Sequence, residues 1–100
     1  DFTFVNDIVN GIRSAISKNY KCEVFNLGNH KSEPLMKVVS LIEQNLALKG
    51  VYDYKPMQMG DVPESFADIA YSEKKLGFKP KVNIEEGIKE FIAWYLDYHK

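Results

Sequence analysis

Only two short stretches of this 100-residue chain read as β-strand, Glu23-Val24-Phe25-Asn26-Leu27 and the weaker Val51-Tyr52-Asp53-Tyr54. No other feature constrains the fold as tightly. Two strands cannot make a self-sufficient twisted sheet, and an unpaired edge exposes hydrogen-bonding groups that recruit another chain. Helical periodicity carries most of the remainder. Val5, Ile8, Val9, Ile12 and Ile16 recur at spacings of three and four, which gathers them on one face of a helix over about residues 6–18. Asn6 is its expected N-cap, and Asp7 falls in the first turn, where the helix dipole favours an acid. Gly11 costs that helix about 1 kcal/mol relative to alanine, as a tolerated residue or as a point of close packing.

A second helix is signalled by Ser32 as cap and Pro34 in the first turn, followed by Leu35, Val38, Val39, Ile42 and Leu46, with Gly50 as its stop. Met57 to Phe66, punctuated by Gly60 and Pro63, reads as loop. Asp68 caps a short helix through Leu76, with Gly77 beyond its end and Pro80 preventing renewal. Asn83 and Glu86 stand in capping-box spacing ahead of Ile84, Ile88, Phe91, Ile92 and Tyr95, and Trp94 and Tyr98 widen that face. The expected class is therefore α/β, mostly helical with about two short strands. No repeat, low-complexity tract or flexible linker interrupts it.

Composition bounds the function. With 45% hydrophobic and 27% charged residues and a net charge of −1, the chain has the makeup of one ordinary globular domain or a piece of one. Its 13 basic and 14 acidic residues nearly cancel, so no long-range field gathers nucleic acid or anionic lipid, and neither is an expected partner. Cys22, the single cysteine, excludes an intrachain disulfide and a four-cysteine zinc site and fits a reducing, cytoplasmic setting. No apolar run approaches the roughly 18 residues that span a bilayer. The chain opens on Asp1-Phe2-Thr3-Phe4 without an initiator methionine, which reads as a fragment of something longer.

The residues taken singly supply little chemistry. There is no glycine-rich phosphate loop, no nucleophile elbow and no pair of metal-ligand histidines; no metal site is expected, and His30 and His99 read as surface or structural residues. Tyr71 and Lys75 stand in Tyr-x-x-x-Lys spacing, by which one helical turn can set an ammonium beside a phenol and lower its pKa; the alternative has Tyr71 packed and Lys75 solvated. Cys22 follows Lys21, which could activate it, yet it equally suits a small apolar filler. Phe91, Trp94, Tyr95 and Tyr98 at helical spacing read as core, or as the docking face of a non-catalytic helical interaction module.

Four stretches in order resemble one family. Asp1-Phe2-Thr3-Phe4-Val5-Asn6-Asp7-Ile8-Val9-Asn10-Gly11-Ile12 resembles the segment after an arginine in extended short-chain dehydrogenase/reductase enzymes that modify nucleotide sugars. Phe25-Asn26-Leu27-Gly28-Asn29 is similar to the family's strand and turn. Gln58-Met59-Gly60-Asp61-Val62-Pro63, followed by Ala67-Asp68, resembles the loop that contacts the nucleotide portion of the substrate. Leu76-Gly77-Phe78-Lys79-Pro80, Glu85-Glu86-Gly87-Ile88 and Trp94-Tyr95 resemble its terminal helix signature. The wording from Met57 to Pro63, with Gln58 where related branches often carry arginine, is most similar to UDP-glucuronate 4-epimerases.

That resemblance implies the C-terminal substrate-binding portion of a two-domain, NAD-dependent epimerase of polysaccharide biosynthesis, with most of the Rossmann domain absent and residues of about 1–30 packed on it. Gln58, Gly60 and Asp61 are the implied substrate-binding residues. Asp61 can accept from a ribose diol, Gly60 admits close backbone approach, and Gln58 offers a donor and an acceptor without charge. Turn capping beside Gly60 is the other role open to Asp61. The implied reaction inverts C4 of a UDP-sugar such as UDP-glucuronate by transient oxidation and reduction. No catalytic and no NAD-binding residue is expected here, because the tyrosine base and the cofactor site belong to the missing portion; Tyr71 and Lys75 fall in a variable segment of the family. The phosphate-clamping arginine would precede Asp1, so these residues alone are expected to be inactive. A dehydratase or decarboxylase of the same family is the alternative, and an exposed sheet edge and apolar face point to self-association as a homo-oligomer.

Overall fold

Four helices account for all the regular structure in the computed structural model, which describes residues 1–100: α1 (Val5–Lys18), α2 (Leu35–Leu46), α3 (Ala70–Leu76) and α4 (Ile84–Tyr98). α2 packs on α4 and α1 on α3. The helix ends follow local chemistry only in part. Asn83 caps α4 as expected, its Oδ1 accepting from the Glu86 N–H at 2.9 Å. Asp68 is not the cap of α3: Ile69 holds that position without a side-chain bond, and Asp68, one residue earlier, accepts from the Ala70 N–H through Oδ1 at 3.0 Å, while Gly77 ends α3 in the left-handed region at φ 67°. Asn6 and Ser32 do not cap: Phe4 and Pro34 occupy those positions without a side-chain bond, and Ser32 donates instead to the Ser65 carbonyl at 3.2 Å. Ala47, not Gly50, turns α2 off, at φ 53°.

The expected α/β class needs correcting, because no strand forms at Glu23–Leu27 or at Val51–Tyr54. A strand exists only through a ladder, and neither segment has a strand beside it to pair with. Residues 24–27 are instead pinned to α3 and the segment before it. Ser72 Oγ donates to the Asn26 carbonyl at 2.5 Å, Asn26 Nδ2 donates to the Asp68 carbonyl at 3.3 Å, and Phe25 and Leu27 pack against the core of Ile69, Leu76 and Phe78.

That core is small. Ten of the 100 residues are buried, and the radius of gyration of 16.3 Å exceeds the ~13 Å usual for a compact domain of this length. The apolar stripe read from α1 is real but faces outward: Val5, Val9, Ile12 and Ile16 are exposed, Ile16 by 73%, while Asp7 and Gly11 form the buried side. Gly11 is a point of close packing, since a Cβ there would lie 2.8 Å from the Leu27 methyls and 3.1 Å from the Phe78 ring. On α4, Ile84 and Ile92 are buried, whereas Phe91, Trp94, Tyr95 and Tyr98 stack on one another in the open. No helix is long and apolar enough to cross a membrane.

Candidate functional site

Between α2 and α3 the chain runs from Leu48 to Ile69 without regular structure, far beyond the usual connection length of about four to six residues. Its first part is tied to α2 by Glu43, whose Oε1 accepts from the Gly50 N–H at 2.8 Å and from the Tyr52 hydroxyl at 2.6 Å. This pairing holds the Glu43 carboxyl below its ordinary range, chiefly through the Tyr52 hydrogen bond, and raises Tyr52 for the same reason.

The far end is tied by Asp1. Its Oδ2 accepts from the Ala67 N–H at 2.9 Å and the His30 N–H at 3.1 Å, while Oδ1 accepts from the Asn29 N–H at 2.9 Å and the Thr3 hydroxyl at 3.2 Å. The Asp1 nitrogen donates to the Ser65 carbonyl at 2.9 Å, and His30 Nδ1 donates to the Ala67 carbonyl at 2.6 Å. Gly28 is where three segments meet, since a Cβ there would lie 2.6 Å from the Ala67 Cβ and 2.9 Å from Asp1 Oδ2. Sequence reasoning missed both anchors. Asp1 stood only as a letter in a resembling stretch, and nothing local announces that one carboxylate collects donors from Asn29, His30 and Ala67.

Between these anchors, residues 53–64 make no hydrogen bond to the rest of the fold. Gln58, Gly60 and Asp61 lie here together. The Asp61 N–H donates to the Gln58 carbonyl at 3.2 Å, closing a turn whose third residue, Gly60, has φ 94°, the positive value a type II turn requires at that place. All three residues are exposed, and the Asp61 carboxylate accepts no hydrogen bond, so its acceptor capacity is not used in capping the turn. Around them Met57, Met59, Val62 and Phe66 present apolar surface to solvent, with Tyr54 78% exposed. Such a loop offers a carboxylate, an amide and apolar contact at a backbone that a ligand can approach closely.

Tyr71 and Lys75 form no acid–base pair. The Tyr71 hydroxyl donates to Glu23 Oε2 at 2.9 Å, which raises its pKa rather than lowering it, and its ring stacks on Phe25 at 5.5 Å. Lys75 Nζ lies between the rings of Tyr20 and Tyr71, 5.8 and 5.9 Å from their centres, and Cys22 is exposed rather than an apolar filler.

The residues here do not fit a dinucleotide. Such a pyrophosphate rests on a glycine-rich turn between a strand and a helix, and the N-cap positions here are Phe4, Pro34, Ile69 and Asn83, with no strand before them.

Comparison with known proteins gives these observations a setting. No protein-family model matches the chain. It is 50% identical over 97 residues to the uncharacterized protein MJ1055 of Methanocaldococcus jannaschii, a match covering 97% of this chain and 30% of that protein. It is 33% identical to UDP-glucuronate 4-epimerase 2 of Arabidopsis thaliana, covering 100% of this chain and 26% of the relative. Protein CapI of Staphylococcus aureus is also 33% identical, over 100% of this chain and 35% of its own length. The solved structure of MoeE5 in complex with UDP-glucuronic acid and NAD superposes with a TM-score of 0.91 at 27% identity, covering 98% of this chain and 33% of MoeE5. The chain thus spans between about a quarter and a third of the length of these proteins. Along its whole length, this chain is homologous to part of the UDP-glucuronate 4-epimerases and resembles, in sequence and in fold, the C-terminal part of an extended short-chain dehydrogenase/reductase.

Proposed function

We propose that these residues supply the substrate-side portion of an NAD-dependent UDP-sugar 4-epimerase acting on a substrate such as UDP-glucuronate. The observation that carries this reading is the 53–64 loop: fastened at Glu43 and at Asp1, otherwise unbonded, and presenting Gln58, Gly60 and Asp61 to solvent. In this role Asp61 accepts from the ribose hydroxyls, Gln58 meets the nucleotide through its amide, and Gly60 keeps the backbone open to close approach.

The NAD and the tyrosine base belong to another part of a longer protein, against which residues of about 1–30 pack. The exposed Val5, Val9, Ile12 and Ile16 stripe supports that placement, since covering it would remove a large apolar surface from water. Taken alone, these residues bind the nucleotide sugar weakly and turn nothing over. The setting that fits is cytoplasmic polysaccharide biosynthesis.

Incubating the full-length protein with UDP-glucuronate and resolving products by mass tests the reaction class. Epimerisation conserves mass; a product lighter by water or carbon dioxide assigns a dehydratase or decarboxylase instead.

A further inference from the structure

Beside the apolar stripe of α1, with Ile16 at their shared edge, Asn10, Arg13, Ser14, Ser17 and Lys18 recur at helical spacing and form one wall of an open cleft of about 840 Å³. Lys79 and Lys81, from the segment between α3 and α4, form the other wall. The two walls are fixed to each other by Asp7, 3% exposed, whose Oδ2 accepts from the Lys81 and Val82 N–H groups at 3.0 Å each.

The charge distribution is one-sided. No carboxylate lines the cleft, although the chain carries 14 acidic residues. Of its cations only Lys79 has a partner, Glu73 at 3.8 Å; Arg13, Lys18 and Lys81 make no ion pair. Relieving helix dipoles does not account for so much positive charge. The C-terminal ends of α1 and α3 reach this cleft and carry about half a negative charge each. Those ends, Glu73 and the buried Asp7 together leave a surplus of about one positive charge. Four cationic side chains on two walls, with Ser14, Ser17 and Asn10 as neutral hydrogen-bonding neighbours, offer more separate donors than a single carboxylate can use and match a small anion with several oxygens.

We propose that the cleft between α1 and the Gly77–Lys81 segment binds a small anion of the diphosphate class. The probe is inorganic pyrophosphate, titrated into the full chain and followed through backbone amide shifts. Saturable shifts concentrated at Arg13 to Lys18 and at Gly77 to Lys81 are expected. Arg13→Gln and Lys81→Gln should each weaken the affinity about tenfold, as the loss of one charge-assisted contact does. Neither substitution removes a structural bond, because Asp7 holds the Lys81 backbone and not its side chain. A parallel titration with UDP separates the sources: equal affinity at the same amides means the diphosphate alone is recognised, and tighter binding there means the nucleoside adds contacts. The proposal falls if these amides show no saturable shift, if both variants bind as the parent does, or if the response lies at Gln58 to Asp61 instead.

Discussion

The ground around Asp1 and Asp7 and the loop of residues 53–64 differ in one respect that decides their roles. Asp1 and Asp7 spend their oxygens on the fold: Asp1 gathers Asn29, His30, Ala67 and Thr3, and Asp7 gathers Lys81 and Val82. Asp61 accepts nothing, although the turn beneath it is well defined. Three aspartates of the same intrinsic chemistry thus divide into two that build the platform and one left free above it. In a fold with so little buried apolar surface, carboxylate-to-backbone bonds do much of what a large core does elsewhere.

The largest expected effect breaks the platform. Asp7→Ala orphans the Lys81 and Val82 N–H groups beside a buried site and should destabilise the fold by about 3 kcal/mol, read from the urea midpoint. A loss near zero would put the two regions on the same footing.

A smaller effect is expected from acid. Glu33, whose side chain is 5% exposed, pairs with Lys37 at 3.0 Å, and Lys37 reaches Glu85 at 2.7 Å, joining the starts of α2 and α4. The Lys37 hydrogen bonds hold both carboxyls below their ordinary range. Groups lowered in this way contribute stability above the ordinary glutamate range and lose it as pH falls through their folded values. Lys37, raised chiefly by its Glu85 hydrogen bond, contributes below the ordinary lysine range and loses that contribution as pH rises through its folded value. Protection factors for hydrogen exchange along α2 and α4, corrected for the pH dependence of intrinsic exchange, should therefore fall on acidification below the glutamate range, and a Lys37→Met variant should lose most of that dependence. The Gln58–Asp61 turn, remote from these groups in bonding, should be indifferent.

What the sequence made legible was local. Asn83 with Glu86 and Gly77 at the end of α3 act over a few residues, and each does what its spacing predicts. Glu23–Leu27 failed as a strand because propensity describes a residue and a ladder needs a neighbour. The α1 stripe was visible as a helix but not as an exposed one, since periodicity reports that a face is apolar and not what covers it. Gly60 announced its turn by composition, whereas Gln58 and Asp61 were singled out by family resemblance alone. Asp1 was opaque for the opposite reason, its partners lying far along the chain.

The smallest expected effect on stability carries the largest on binding. Because the Asp61 side chain bonds to nothing in the fold, Asp61→Ala should leave the urea midpoint unchanged while weakening UDP binding to the full-length protein about tenfold by calorimetry, the loss of one charge-assisted contact. An affinity equal to that of the parent would contradict the account and remove the 58–61 turn from the nucleotide site.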